Sequence, residues 1–245
     1  MKKYGLIGRT LSHSFSKNFF DKKFASERIK NCSYENFELK QIEEFPKLLK
    51  TNVELKGVNV TIPYKEEIIQ YLTYKNEIVE EIGACNCIKI TGDNLTGYNT
   101  DAIAFRKSLE KQLKPNHKRA LIFGSGGASK AIQYSLKSLN IEYFVVSRRK
   151  QEGGLGYEDL GDQVLATHHL LINTTPLGMY PNVNQDPPVP YIYLTKQHFV
   201  FDLIYNPEKT KFMREAEKRG AQVSNGYEML VLQAEESWRI WNQEL

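Results

Sequence analysis

Ala120-Leu121-Ile122-Phe123-Gly124-Ser125-Gly126-Gly127-Ala128 is the stretch on which the reading of this chain turns. Its four apolar residues form the short unbroken run expected of a parallel strand buried on both faces. The glycines that follow permit a sharp turn, and Gly127–Leu139 then carries apolar residues at helical spacing. A strand, a glycine turn and a helix in that order are the context a phosphate-binding turn requires. Free N–H groups and the helix dipole at such a helix start favour negative charge. A tight turn without a ligand fits the same residues, but the strand before it and the helix after it favour nucleotide binding.

Outward from this turn the pattern repeats. Tyr143–Ser147, Leu170–Asn173 and Phe199–Tyr205 read as strands, and Lys209–Arg219 as an amphipathic helix ended by Gly220. This alternation favours a doubly wound α/β domain. Between Gln151 and His169, Gly153, Gly154, Gly156 and Gly161 leave room for hardly any crossover helix. Ser147-Arg148-Arg149 ends the second strand. A dinucleotide site selecting NAD places an acid there for the ribose 2′-OH, whereas guanidinium groups suit a 2′-phosphate. With the glycine turn, that favours NADP over NAD; alone, it is also a solvated basic loop.

Toward the N-terminus a second α/β pattern appears. Strands are expected at Tyr4–Gly8, Tyr34–Leu39, Gly57–Ile62, Ala84–Thr91 and Leu95–Asn99, the last two joined by a Gly92-Asp93-Asn94 turn. Ser16–Lys30, Gln41–Lys50, Pro63–Leu72 and Ala102–Leu113 read as helices, with Asp101 as a candidate N-cap. Tyr227–Trp241 forms a closing helix whose Trp238 and Trp241 supply packing surface.

The chain has 245 residues, 33 Lys+Arg against 29 Asp+Glu, and a formal net charge of +4. With 41% hydrophobic and 25% charged residues it has globular rather than disordered composition. No basic tract calls for nucleic acid, and no apolar stretch approaches a membrane span or an export signal. Its 3 cysteines, Cys32, Cys85 and Cys87, make no disulfide framework, so a reducing, cytoplasmic setting is expected. Cys85-x-Cys87 has no second pair and His168-His169 no ligand spacing, so no metal site is expected. His13 finds no acid partner for hydrolase chemistry.

Polar residues gather where loops leave strands. They lie in Ser12-His13-Ser14-Phe15-Ser16, Asn59-Val60-Thr61-Ile62-Pro63-Tyr64-Lys65, Gly83-Ala84-Cys85-Asn86 and Gly97-Tyr98-Asn99-Thr100-Asp101. Singly each has a plain account: Ser16 as a helix cap, Thr61 in a strand, Asn86 in a turn, Lys65 on the surface. Together, the chain resembles the shikimate dehydrogenase family over almost its whole length. Gly124–Ala128, Asn173-Thr174-Thr175-Pro176-Leu177-Gly178-Met179, Asp202-Leu203-Ile204-Tyr205 and Gly226-Tyr227-Glu228-Met229-Leu230-Val231-Leu232-Gln233 extend the likeness in the family's order.

The resemblance implies two α/β domains. Residues 1–101 with 226–245 would form the substrate domain, and 102–225 an inserted Rossmann-like NADP-binding domain. It implies reversible hydride transfer between NADPH and the ring carbonyl of 3-dehydroshikimate. Lys65 and Asp101 would be catalytic. Ser14, Ser16 and Tyr205 would hold the substrate carboxylate, and Thr61, Asn86 and Gln233, with Asp101, its hydroxyls. The coenzyme would meet Gly124, Ser125, Gly126, Gly127, Ala128, Ser147, Arg148, Arg149, Asn173, Thr174 and Thr175, with Leu203, Gly226 and Met229 near the nicotinamide. The developing alkoxide needs a cation or proton donor beside it, which Lys65 provides as either. A monomer or homodimer acting on a small molecule is expected. The alternatives are a quinate/shikimate dehydrogenase using NAD and a non-catalytic sensor of such metabolites.

Five positions depart from the family's usual residues: Lys17 (usually Pro), Phe20-Asp21 (usually His-Asn), Cys87 (often Thr) and Ala104 (often Gly). The shortened segment after Arg149 is the largest departure.

Overall fold

Alternating and continuous apolar runs become two separate sheets in the structure, a computed structural model that describes residues 1–11 and 14–243. Ser12 and His13 of the serine-rich stretch lie outside the described residues. The chain divides into two units, Met1–Ile103 with Val231–Leu245, and Ala104–Leu230.

The first unit begins β1 (Lys2–Gly8), α1 (Phe15–Ser26), β2 (Cys32–Glu38), α2 (Phe45–Thr51) and β3 (Leu55–Val60). It continues with β4 (Tyr74–Lys75), α3 (Glu77–Ile82), β5 (Cys87–Thr91) and β6 (Asn94–Tyr98). Its sheet runs β2-β1-β3-β5-β6-β4. β1 is parallel to β2 and β3, β5 is antiparallel to β3 and β6, and β4 is parallel to β6. Strand alternation sends Ile7, Val58, Val60 and Ile88 into one core, while Tyr4 and Leu6 join Phe20, Phe24, Tyr34 and Trp241 in another. Trp241 stacks on Tyr4 with ring centroids 4.9 Å apart, and its Nε1 donates to Ile88 O at 3.0 Å. A Cβ on Gly57 would run into that indole, so only glycine admits it.

The second unit takes in most of α4 (Thr100–Glu110). Next come β7 (Arg119–Phe123), α5 (Gly127–Ser138), β8 (Glu142–Val146), α6 (Asp162–Leu165) and β9 (Leu170–Asn173). After these follow β10 (Phe199–Asp202), α7 (Lys211–Glu217), β11 (Gln222–Ser224) and the start of α8 (Tyr227–Asn242). The sheet order is β11-β10-β9-β7-β8, with every pairing parallel. β9 and β10 are buried along their whole length, as their unbroken apolar runs require, while the edge strand β8 alternates. From β8 the chain returns past β7 to β9. The carboxyl end of β7 is therefore the switch point at which ligands of open α/β sheets bind.

Three local expectations are corrected. Pro63–Leu72 is not a regular helix but turns ending in a 3-10 segment, Glu67–Tyr71. The Lys65 carbonyl accepts from Cys85 N at 2.7 Å and the buried Tyr64 hydroxyl donates to Leu39 O at 2.6 Å, which fixes the turn against the sheet. Ala84–Asn86 precede β5 rather than belonging to it, since Asn86 turns its side chain toward Thr100. Asp101 is not the N-cap of α4: Asn99 Oδ1 takes the Ala102 N–H at 3.1 Å, leaving the Asp101 carboxylate for another partner. The short helix α3, unexpected from the pattern of the sequence, is capped by Asn76 and ended by Gly83 at φ +69. The segment after Arg149 folds back so that Leu155 bridges Val146, and α6 has only 4 residues.

Candidate functional site

In the first unit, the expected catalytic pair is formed. Lys65 Nζ donates to Asp101 Oδ2 at 2.7 Å, with side-chain exposures of 20% and 16%. The turn after β3 presents the lysine and the first turn of α4 presents the acid. Thr61 follows directly on β3, and its methyl would contact a Cβ on Gly8 at 2.7 Å, so the end of β1 and Thr61 lie side by side.

Asn86 is buried and reads the start of α4. Its Oδ1 accepts from Thr100 N at 2.7 Å and its Nδ2 donates to Thr100 Oγ1 at 3.0 Å. Those bonds set the backbone on which Asp101 stands. Thr100 Oγ1 also lies 3.3 Å from Ser237 Oγ, which donates to Gln233 O at 2.8 Å. Asn59 Nδ2 reaches the same Ser237 hydroxyl at 2.8 Å, and its Oδ1 accepts from Tyr34 Oη at 2.9 Å. Burial pushes the Tyr34 hydroxyl well up, opposed by a hydrogen bond with Ser16. Ser14 is the N-cap of α1 and Ser16 is buried in its first turn. Ser16, Asn86 and Gln233 thus connect through a buried chain of Tyr34, Asn59, Ser237 and Thr100, residues to which the sequence alone assigns no role. A tyrosine and an asparagine inside strands carry no local signal of it.

The cysteines beside Asn86 are structural. Burial pushes the Cys85 thiol up to about 12, and its Sγ donates to Cys87 O at 3.3 Å. Such a thiol is inert. Among the described residues no cluster of three His, Cys, Asp or Glu could hold a metal.

In the second unit, Gly124 leaves β7 at φ +104, and a Cβ there would lie 2.7 Å from Thr174 Oγ1. Thr174 donates from both N and Oγ1 to Phe123 O, at 2.9 and 2.7 Å, which binds the expected turns at 124–128 and 173–175 together. Gly126 is the N-cap of the 12-residue α5 and offers no side-chain cap, so the first-turn N–H groups stay available to an anion. A Cβ on Gly126 meets nothing within 4 Å, so space stands open above it. Ser147 caps its own loop by donating to Arg149 O at 2.6 Å, and Arg148 and Arg149 are exposed, with no ion pair among the described residues.

Leu203 and Gly226 meet: Gly226 N donates to Ile204 O at 3.1 Å, and a Cβ on Gly226 would collide with Leu203 O. Met229 is buried in the first turn of α8. Tyr205 stands half-buried on the turn after β10, in the second unit, whereas Ser14 and Ser16 belong to the first. Asp202 and Thr210, absent from the expected site, lie under these turns as a buried hydrogen-bonded pair at 2.6 Å. Burial lifts the Asp202 carboxyl to about 6.

Comparison with known proteins adds a matching family model and three relatives. The family model described as shikimate dehydrogenase substrate binding domain matches residues 6–88. The shikimate dehydrogenase (NADP(+)) of Caldicellulosiruptor saccharolyticus is 37% identical over 258 residues, covering 98% of this chain and 92% of that protein. The crystal structure of shikimate dehydrogenase from Aquifex aeolicus has a TM-score of 0.87 at 33% identity, covering 99% of this chain and 92% of that one. Shikimate 5-dehydrogenase from Thermus thermophilus, solved with NADP(H) and shikimate, has a TM-score of 0.88 at 28% identity, covering 100% and 95%.

Proposed function

The chain belongs to the shikimate dehydrogenase family, and on that premise we propose that it catalyses the reversible NADP-dependent reduction of 3-dehydroshikimate to shikimate, toward chorismate and the aromatic amino acids. The observation that carries this is the Lys65–Asp101 pair at 2.7 Å, in a unit with hydroxyl and amide donors at the neighbouring strand ends.

The second unit suits the coenzyme on its own terms. The glycine turn leaves β7 where a side chain would strike Thr174, and α5 starts without a side-chain cap. Gly124, Ser125, Gly126, Gly127 and Ala128 would hold the pyrophosphate, Ser147, Arg148 and Arg149 the 2′-phosphate, and Asn173, Thr174 and Thr175 the coenzyme's path. Leu203, Gly226 and Met229 would line the nicotinamide. When bound, NADPH supplies the hydride.

The chain's own residues do the rest. Ser14 and Ser16 hydroxyls and the Tyr205 phenol donate to the substrate carboxylate, and Thr61, Asn86 and Gln233 orient its hydroxyls. Lys65 Nζ stands at the reacting oxygen, where its charge stabilises the alkoxide that develops as the carbonyl is reduced. Asp101 Oδ2 accepts from that ammonium and fixes its direction. In the oxidative direction the same pair receives the hydroxyl proton.

The partner is a small molecule, with neither nucleic acid nor membrane taking part, and the setting is the cytoplasm. No described helix is long and apolar enough to cross a membrane. The test is absorbance at the reduced-nicotinamide band with shikimate, run with NADP+ and NAD+ in parallel. Rapid reduction of NADP+ is expected, and none with either coenzyme overturns the reading. The short segment after Arg149 gives the NAD arm its point: equal rates there, with quinate accepted, would make this a quinate/shikimate enzyme.

A further inference from the structure

The turns assigned above to the coenzyme converge on one carboxylate. Asp202 closes β10 and is fully buried. Its Oδ1 accepts from Asn173 Nδ2 at 3.0 Å and from the Ile204 N–H at 3.1 Å, and its Oδ2 accepts from Thr210 Oγ1 at 2.6 Å. Asn173 passes the constraint on. Its Oδ1 takes Thr175 N at 3.0 Å and Thr175 Oγ1 at 2.7 Å, while its Nδ2 also reaches Leu177 O at 3.3 Å. Thr210 caps α7 by accepting from Met213 N at 3.3 Å. One side chain therefore sets the shape of residues 173–177 and of the turn after β10, and ties both to a helix.

The choice of an acid is informative. A carboxylate accepts all three bonds, whereas an asparagine would set a donor against one of them. No lysine or arginine pairs with Asp202 among the described residues, so the fold tolerates a buried acid without a counter-charge. Desolvation raises its pKa as expected for such a site. Ordinary packing at the end of an apolar strand does not call for this.

We propose that Asp202 is a positioning residue for the coenzyme: through Asn173 and the Ile204 amide it holds the 173–177 turn and the Leu203–Tyr205 segment at the carboxyl ends of β9 and β10, beside the switch point. The inference rests on the coenzyme reading of these turns.

The test titrates NADPH by its fluorescence against the wild type, Asp202→Ala and Asp202→Asn, with KM for shikimate and NADP+ measured in parallel. Asp202→Ala is expected to weaken NADPH at least ~10-fold, because Asn173 and Ile204 lose their acceptor. Asp202→Asn recovers most of that, weakening it ~3-fold, since its amide oxygen still accepts but without charge. KM for shikimate rises by less than the NADPH affinity falls, since of the expected substrate donors only Tyr205 stands on the segment that Asp202 holds. A folded Asp202→Ala with lowered melting temperature but wild-type NADPH affinity overturns the proposal, as does an equal rise in both KM values. Should Asp202→Ala fail to fold, Asp202→Asn decides, and unchanged NADPH affinity in it is equally fatal. A wild type that binds NADPH without oxidising shikimate would end the proposed reaction and leave this inference standing, because the titration needs no turnover.

Discussion

Lys65 meets Asp101 at 2.7 Å from a turn that was expected to be a helix, so the pairing owes nothing to helical spacing. Replacing Lys65 by Ala should lower kcat by at least ~10²-fold, the usual scale for an acid–base group, with little change in NADPH affinity. Steady-state kinetics with both substrates varied checks this, and near-normal turnover would remove the lysine from the mechanism. Ser14→Ala and Ser16→Ala should raise KM for shikimate more than they lower kcat, because hydroxyl donors to a carboxylate bind ground and transition states alike. Ser16→Ala should also loosen Tyr34, with which Ser16 shares a hydrogen bond. Lys65 and Asp101 were legible as candidates because the Asn-Val-Thr-x-Pro-x-Lys and Asn-Thr-Asp stretches both resemble the family's. The residues that orient them were not. Tyr34, Asn59 and Ser237 converge from β2, β3 and α8, with Asn59 and Ser237 178 positions apart.

At the scale of elements, the glycine turn is the most exacting piece. Gly124 sits at φ +104 and lacks room for a Cβ, so Gly124→Ala must strain the backbone and push Thr174. Displacing that threonine moves the 173–175 turn, and NADPH affinity should fall ~10-fold, equivalent to ~1.4 kcal/mol. Fluorescence titration measures it; unchanged affinity would mean the turn does not carry the coenzyme. Leu171, in the middle of the fully buried β9, contributes packing alone. Leu171→Ala should cost ~2–5 kcal/mol in urea denaturation, through lost burial and the cavity left. Continuous apolar runs made β7, β9 and β10 readable, and four glycines announced the poor crossover after Arg149. Short elements escaped: α3 spans 6 residues and β4 only 2, too few for a periodicity to stand out.

For the molecule as a whole, acidity has a predictable effect on stability. Asp202 has a folded pKa of about 6, raised by burial above its unfolded value of ~3.9. Below both values the carboxyl is protonated in either state and folding bears no ionisation penalty. As pH rises from about 4 to about 6 the unfolded chain ionises first, so stability falls by up to ~2–3 kcal/mol and then levels off. The buried His117, His168 and His198 act in the opposite sense, since burial lowers their pKa values and acid then favours the unfolded chain. The difference between the wild type and Asp202→Asn, measured by denaturation at pH 4.5 and 7.5, isolates the carboxyl: the variant should gain relative to wild type at the higher pH. A constant difference would place the acid's ionisation elsewhere.

The tryptophans of α8 settle on Tyr4 and Phe20, residues the ribosome makes more than two hundred codons earlier. During translation the leading lobe must therefore wait, its aromatic flank bare, while the trailing lobe can already collapse around β7, β9 and β10. What is begun first is sealed last, and that interval is when a nascent chain of this design most needs shielding from its neighbours.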